Sequence, residues 1–279
     1  MWNTYMTYTD EYPTHVTDEY RYSQQFYSFP FSPLSSRVDL RAYMTPVKYQ
    51  QDMNTCSANA FSSIYEYLIQ RTTGYHVDVS RLFINYNGQI RTQFAPLITD
   101  YGVTQKDIAL AIRDYGVCKE HRWPYDMRFL NRQPTYDAYD EAMNYTVTLL
   151  RVPIDILSIE TCLHNGILVP IDIVLDGDTA MNIQMNNGFL VEHLLDDRLI
   201  DRDAFHTVVL VGYDRQSRHF IARNSWGPHW ADNGYFYIPY DFIYNRHRVN
   251  YRNDLWTILQ IQPRSKTLPS VLRLVAYPS

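Results

Sequence analysis

The chain has 279 residues, a net charge of −5 at neutral pH, 46% hydrophobic residues and 20% charged ones, which suits a globular protein with one sizeable core or two lobes. The acidic balance and the lack of a basic stripe give no electrostatic ground for binding nucleic acid, and the longest apolar run, residues 167–175, contains Pro170 and Asp172 and is too short to span a bilayer. Three cysteines, Cys56, Cys118 and Cys162, make a poor disulfide framework, and there is no Cys-x-x-Cys, His-Glu-x-x-His or phosphate-cradling glycine loop, so neither a metal nor a cofactor is expected.

Residues 1–37 form a tyrosine-rich extension, with Tyr5, Tyr8, Tyr12, Tyr20, Tyr22 and Tyr27 ahead of Phe29-Pro30-Phe31-Ser32-Pro33. So much aromatic surface argues against a fully disordered tail. The extension is expected to pack on the body, either bordering a cleft or on the back. A helix is predicted over residues 57–69, starting at Cys56, because Phe61, Ile64, Tyr65 and Leu68 follow the i, i+3, i+4, i+7 spacing of one buried face. Thr55 is its candidate N-cap, with Ser57 the alternative. Thr104 caps a second, amphipathic helix over 104–113, and 137–150 is a weaker helical candidate. From residue 152 strands dominate: 167–175, 207–213, 219–223, 235–239 and 256–261, with Asp214-Arg215-Gln216-Ser217 as a hairpin turn. Asp172 stands out as a charge inside a buried strand, and the polar stretch 176–203 reads as an elongated loop. Helices over 38–150 followed by strands over 151–279 make an α+β arrangement.

Four separated residues carry chemistry. A free thiol ionises near pH 8.5 and only its thiolate attacks efficiently. At the start of a helix, Cys56 faces unpaired N–H groups and the positive end of the dipole, both of which favour the anion. His206, opening a strand, would take the thiol proton and deliver it to a leaving amine. Asn224 would accept a hydrogen bond from the second ring N–H of His206 and orient it. Gln50, six positions before Cys56, would donate its amide to an oxyanion beside the Cys56 N–H. Taken singly, such a cysteine is usually a small buried hydrophobe and such a histidine usually structural. It is the conjunction that points to acyl transfer.

In this order the four residues resemble the site of the papain-like cysteine peptidases. The resemblance covers about residues 38–244. It includes Asp39-Leu40-Arg41, Thr45-Pro46-Val47-Lys48, Ser80-Arg81-Leu82-Phe83, Tyr115-Gly116-Val117-Cys118 and Trp123-Pro124-Tyr125-Asp126. Most specific is Asn224-Ser225-Trp226-Gly227-Pro228-His229-Trp230-Ala231-Asp232-Asn233-Gly234-Tyr235-Phe236. The motif style is that of short-propeptide members from bacteria and large DNA viruses. The resemblance implies a two-lobe fold, a helical N-terminal lobe and a β-barrel-like C-terminal lobe with the cleft between them. It also implies peptide-bond hydrolysis through a thioester, a protein or peptide substrate, no cofactor, and Trp226 shielding the Asn224–His206 hydrogen bond from water.

Several positions depart from the family pattern. Met53 replaces a disulfide cysteine, Asn54 replaces a glycine beside the nucleophile, and the large Phe205 precedes the histidine. With Trp226, Asn54 and Phe205 are the candidate substrate-binding residues. The glycine pair that binds substrate backbone in the family has only Asn87-Gly88 as a weak candidate. The spacing from Cys56 to Asn224 exceeds that expected for the family, an excess assigned to the 176–203 stretch. These departures leave open a catalytically silent module that binds a protein partner, as the alternative to a peptidase of endopeptidase type. No nucleic-acid or membrane partner is expected, and the oligomeric state is open. The lack of an export signal favours an intracellular, cytoplasmic setting, or a virion if the source is viral.

Overall fold

The computed structural model describes residues 33–93, 98–191, 205–250 and 255–264. The chain divides into two compact units, Met1–Pro33 and Leu34–Ser279, and the structure described is that of the second. The tyrosine-rich extension therefore lies almost wholly outside the described residues, as do positions 192–203 of the expected long loop.

Helix α1, Cys56–Thr73, is the axis of the molecule. It starts at the nucleophile candidate and stops where Gly74 takes the left-handed conformation (φ 74°) that a glycine adopts without strain. Its residues 57–67 are buried on every side rather than along one face. The reason is that helices and sheets enclose it. Phe61, Ile64, Tyr65 and Tyr67 share a core with Ile108, Ala109 and Ile112, with Val209 and Val211, and with Ile258. Its polar residues in that core are satisfied locally. Ser62 and Ser63 donate to the carbonyls of Asn59 and Ala60, while Glu66 accepts from Thr45 Oγ1 (2.7 Å), Lys48 Nζ (2.6 Å) and Val79 N–H (3.0 Å).

Helix α2, Arg81–Gln89, is capped by Ser80, and α3, Gln105–Tyr115, by Thr104 as the sequence predicts. The weaker helical candidate over 137–150 divides: α4 spans only Tyr136–Ala142, and the chain then enters strand β2, Tyr145–Val152. The aromatic and β-branched run Tyr145-Thr146-Val147-Thr148 favours a strand, and pairing with the distant β7, Leu255–Pro263, supplies its ladder. Residue 150 thus falls inside a strand. Helix α5, Ile156–His164, and α6, Gly177–Met185, interrupt the strand-rich half. The described beginning of the expected 176–203 loop is therefore helical. Asp176 caps it by accepting from Thr179 N–H (2.8 Å), and Ile183 anchors it in the core.

The main sheet is antiparallel and built on the long strand β4, Phe205–Asp214. One edge of β4 carries β5, His219–Arg223, and then β6, Tyr235–Pro239. The other edge is shared by β3, Val169–Val174, along residues 205–210 and by β1, Arg37–Asp39, along 212–214. The bulge before Gly212 brings the Val38 carbonyl so close that a Cβ at Gly212 would sit 2.3 Å from it. A second core gathers Met53, Leu82, Phe83, Cys118, Trp123 and Leu130 around α2 and α4. The result is an α+β, two-lobe molecule whose lobes exchange segments. Among the described residues no helix is long and apolar enough to cross a membrane.

Candidate active site

Cys56 is the first residue of α1, half-buried, with the free N–H groups of the first turn around it. Thr55 occupies the N-cap position without capping. Its hydroxyl instead lies 2.6 Å from that of Tyr125, which donates to the Gln50 carbonyl (2.7 Å). The Arg81 guanidinium stacks 3.5 Å from the Tyr125 ring and donates to Asn59 Oδ1 (3.0 Å). The loop from Gln50 to Cys56 is therefore braced from below by an aromatic, a hydroxyl and a cation.

His206 is the second residue of β4 and is buried. Its Nε2 lies 2.8 Å from Asn224 Oδ1, at the point where β5 ends. Asn224 Oδ1 also accepts from Ser225 N–H (2.7 Å), so the amide presents its oxygen, and Nε2 is the protonated nitrogen. That leaves Nδ1 for Cys56. Burial alone would raise the thiol pKa. A hydrogen bond with His206, the imidazolium charge and a backbone hydrogen bond from Thr207 outweigh it, so Cys56 ionises below its ordinary value. The Trp226 ring centre stands 5.0 Å from that of His206 and continues edge-on into Trp230 (5.1 Å) and Phe236 (5.4 Å).

Gln50 is held by both ends of its amide: Nε2 donates to the Met53 carbonyl (2.9 Å), and Oε1 accepts from Ser225 Oγ (2.6 Å). One Nε2 hydrogen remains. Asn54 is exposed and tied to Asp100, donating its backbone N–H (3.0 Å) and its side-chain amide (2.6 Å, to the carbonyl). Phe205 is 40% exposed beside His206.

A model of the family described as "Papain family cysteine protease" matches residues 34–250. The chain belongs to that family. It is on this ground a hydrolase of the cysteine-peptidase type. It is 28% identical to a peptidase C1-like protein of Acanthamoeba polyphaga mimivirus, over 76% of this chain and 69% of the viral one. It is 25% identical to human cathepsin L2, over 76% of this chain and 62% of the relative. Xylellain, a cysteine protease from Xylella fastidiosa, superposes with a TM-score of 0.68 at 28% identity, covering 82% of this chain and 90% of that one. The viral and bacterial likeness matches the motif style.

Two expectations need correction or addition. Asn87 and Gly88 are buried in the last turn of α2, where Gly88 lets Ile108 and Val103 approach (a Cβ would lie 2.7 and 2.9 Å from them), so this pair faces no cleft. Gly102 is the glycine beside the cysteine loop: its φ is 79°, and a Cβ there would lie 3.7 Å from the Asn54 carbonyl. Its place two residues before the Thr104 cap is the available signal. Sequence reasoning also passed over a polar chain next to the nucleophile. Thr207 Oγ1 lies 3.8 Å from Cys56 Sγ and 2.8 Å from Ser57 Oγ, and donates to Asp172 Oδ1 (2.7 Å). Ser57 Oγ donates to the Val103 carbonyl (2.7 Å).

Proposed function

We propose that the protein is an endopeptidase in which Cys56, His206 and Asn224 act as a triad and Gln50 supplies an oxyanion donor. The observation that carries this reading is the 2.8 Å contact between His206 Nε2 and Asn224 Oδ1, which leaves the other ring nitrogen for the Cys56 thiol, whose ionisation His206 favours. Cys56 Sγ attacks the peptide carbonyl carbon while its proton resides on His206 Nδ1. The oxyanion is met by the Cys56 N–H and the free Nε2 hydrogen of Gln50. Collapse of the tetrahedral intermediate breaks the C–N bond, and His206 protonates the departing amine. Water, deprotonated by His206, then attacks the thioester and releases the carboxylate with the thiol regenerated.

Asn224 keeps the ring turned with Nδ1 toward the sulfur, and Trp226 shields that hydrogen bond. Asn54 and Phe205 form walls of the cleft. Three unpaired cysteines support an intracellular setting. Residues 1–37 are read as an extension separate from the peptidase domain, 38–279. The Cys56→Ala variant should lose hydrolysis and labelling by a thiol-directed epoxide while melting near the parent temperature. Turnover retained in that variant would overturn the assignment.

A further inference from the structure

One charge beside the site has no part in the chemistry above. Asp172 is the lone charged residue of β3, whose other positions, Val169, Pro170, Ile171, Ile173 and Val174, are buried and apolar. It faces Thr207 across the sheet, and the Thr207 hydroxyl connects it to Ser57 and to the Cys56 sulfur. The carboxylate therefore stands one hydroxyl away from the nucleophile. Its two oxygens are treated unequally. Among the described residues, Oδ1 accepts from Thr207 and from Gln105 Nε2 (both 2.7 Å), whereas Oδ2 has only Asn250 Nδ2 at 3.5 Å. A carboxylate oxygen accommodates about two donors, so Oδ2 has capacity left.

All of these donors are neutral, and among the described residues no lysine or arginine pairs with Asp172. Burial pushes its carboxyl above the usual range in spite of those hydrogen bonds and the nearby His206. Part of the residue nevertheless stays open to solvent. An anion held this way is costly without a counter-charge, and asparagine would serve a purely structural link as well.

We infer that Asp172 determines specificity: its open Oδ2 receives the ammonium or guanidinium group of a lysine or arginine lying close to the bond that is cut. The inference rests on the peptidase reading. The substrate class is then basic peptides, and the charge pair is completed only when one is bound.

The test uses wild-type protein and internally quenched peptides carrying arginine or its neutral isostere citrulline at each position flanking the cut. At one position the arginine peptide should show a kcat/KM at least about tenfold higher. In Asp172→Asn that gap should close through loss on the arginine peptide alone, with KM carrying the change. Equal kcat/KM on each pair with wild type, or an equal loss on both peptides in the variant, would overturn the inference. Should the variant not fold, the wild-type comparison decides alone. Epoxide labelling of Cys56 separates the two levels. Labelling and cleavage without charge preference sink only this inference, whereas no labelling and no cleavage sink the peptidase reading with it.

Discussion

Cys56, Cys118 and Cys162 are the same side chain in three settings, and their environments separate them. Burial pushes the Cys118 and Cys162 thiols up to about 12, with nearby carboxylates adding to it, while His206 holds Cys56 below its ordinary value. Limiting iodoacetamide should therefore alkylate Cys56 first. The rate should rise with pH through a midpoint below the free-thiol value of about 8.5, because the thiolate is the reacting form. Replacing His206 with alanine should move that midpoint upward; an unmoved midpoint would detach the histidine from the thiol. Gln50→Ala should lower kcat by ~10²–10³-fold with little change in KM, as for loss of one oxyanion donor. The sequence alone is enough to propose these residues, because each sits in a recognisable local motif. Asp172 was visible only as an oddity, since what gives it meaning, the Thr207 hydroxyl opposite and Gln105 on another helix, is brought together by folding alone.

Among the elements, those set by local sequence are legible and those set by distant pairing are not. The hairpin β4–β5 and strand β6 are legible from apolar runs and the 214–217 turn residues, and α1 and α3 from their apolar spacing and start positions. Strand β2 was read as helix because its justification is β7, more than a hundred residues downstream. The full burial of α1 was missed for a related reason. Ser62, Ser63 and Glu66 look like a solvent face until the partners that satisfy them are known. Glu66 makes the point measurable. Removing its carboxylate by Glu66→Ala strands Thr45, Lys48 and the Val79 N–H around a buried gap, and should lower the unfolding free energy by about 3 kcal/mol in urea titrations. A change within about 0.5 kcal/mol would show that the pair contributes nothing net.

For the molecule as a whole, no covalent cross-link is present: all three cysteines are free, and Met53 fills with packing the place the family gives to a bridge. The melting temperature should accordingly be the same with and without dithiothreitol. Cohesion comes instead from threads that pass between the two halves of the site. Gln50 N–H donates to the Ser225 carbonyl (2.8 Å) and Gly227 N–H to the Lys48 carbonyl (3.1 Å), while the Arg223 guanidinium grips the carbonyls of Thr45 (2.7 Å) and Pro46 (2.8 Å). The strip that carries Gln50 is thus sewn to the strip that carries Asn224. Neither can peel away alone, so heating should not produce a folded but inactive form: loss of turnover and loss of tryptophan fluorescence should trace one coincident curve.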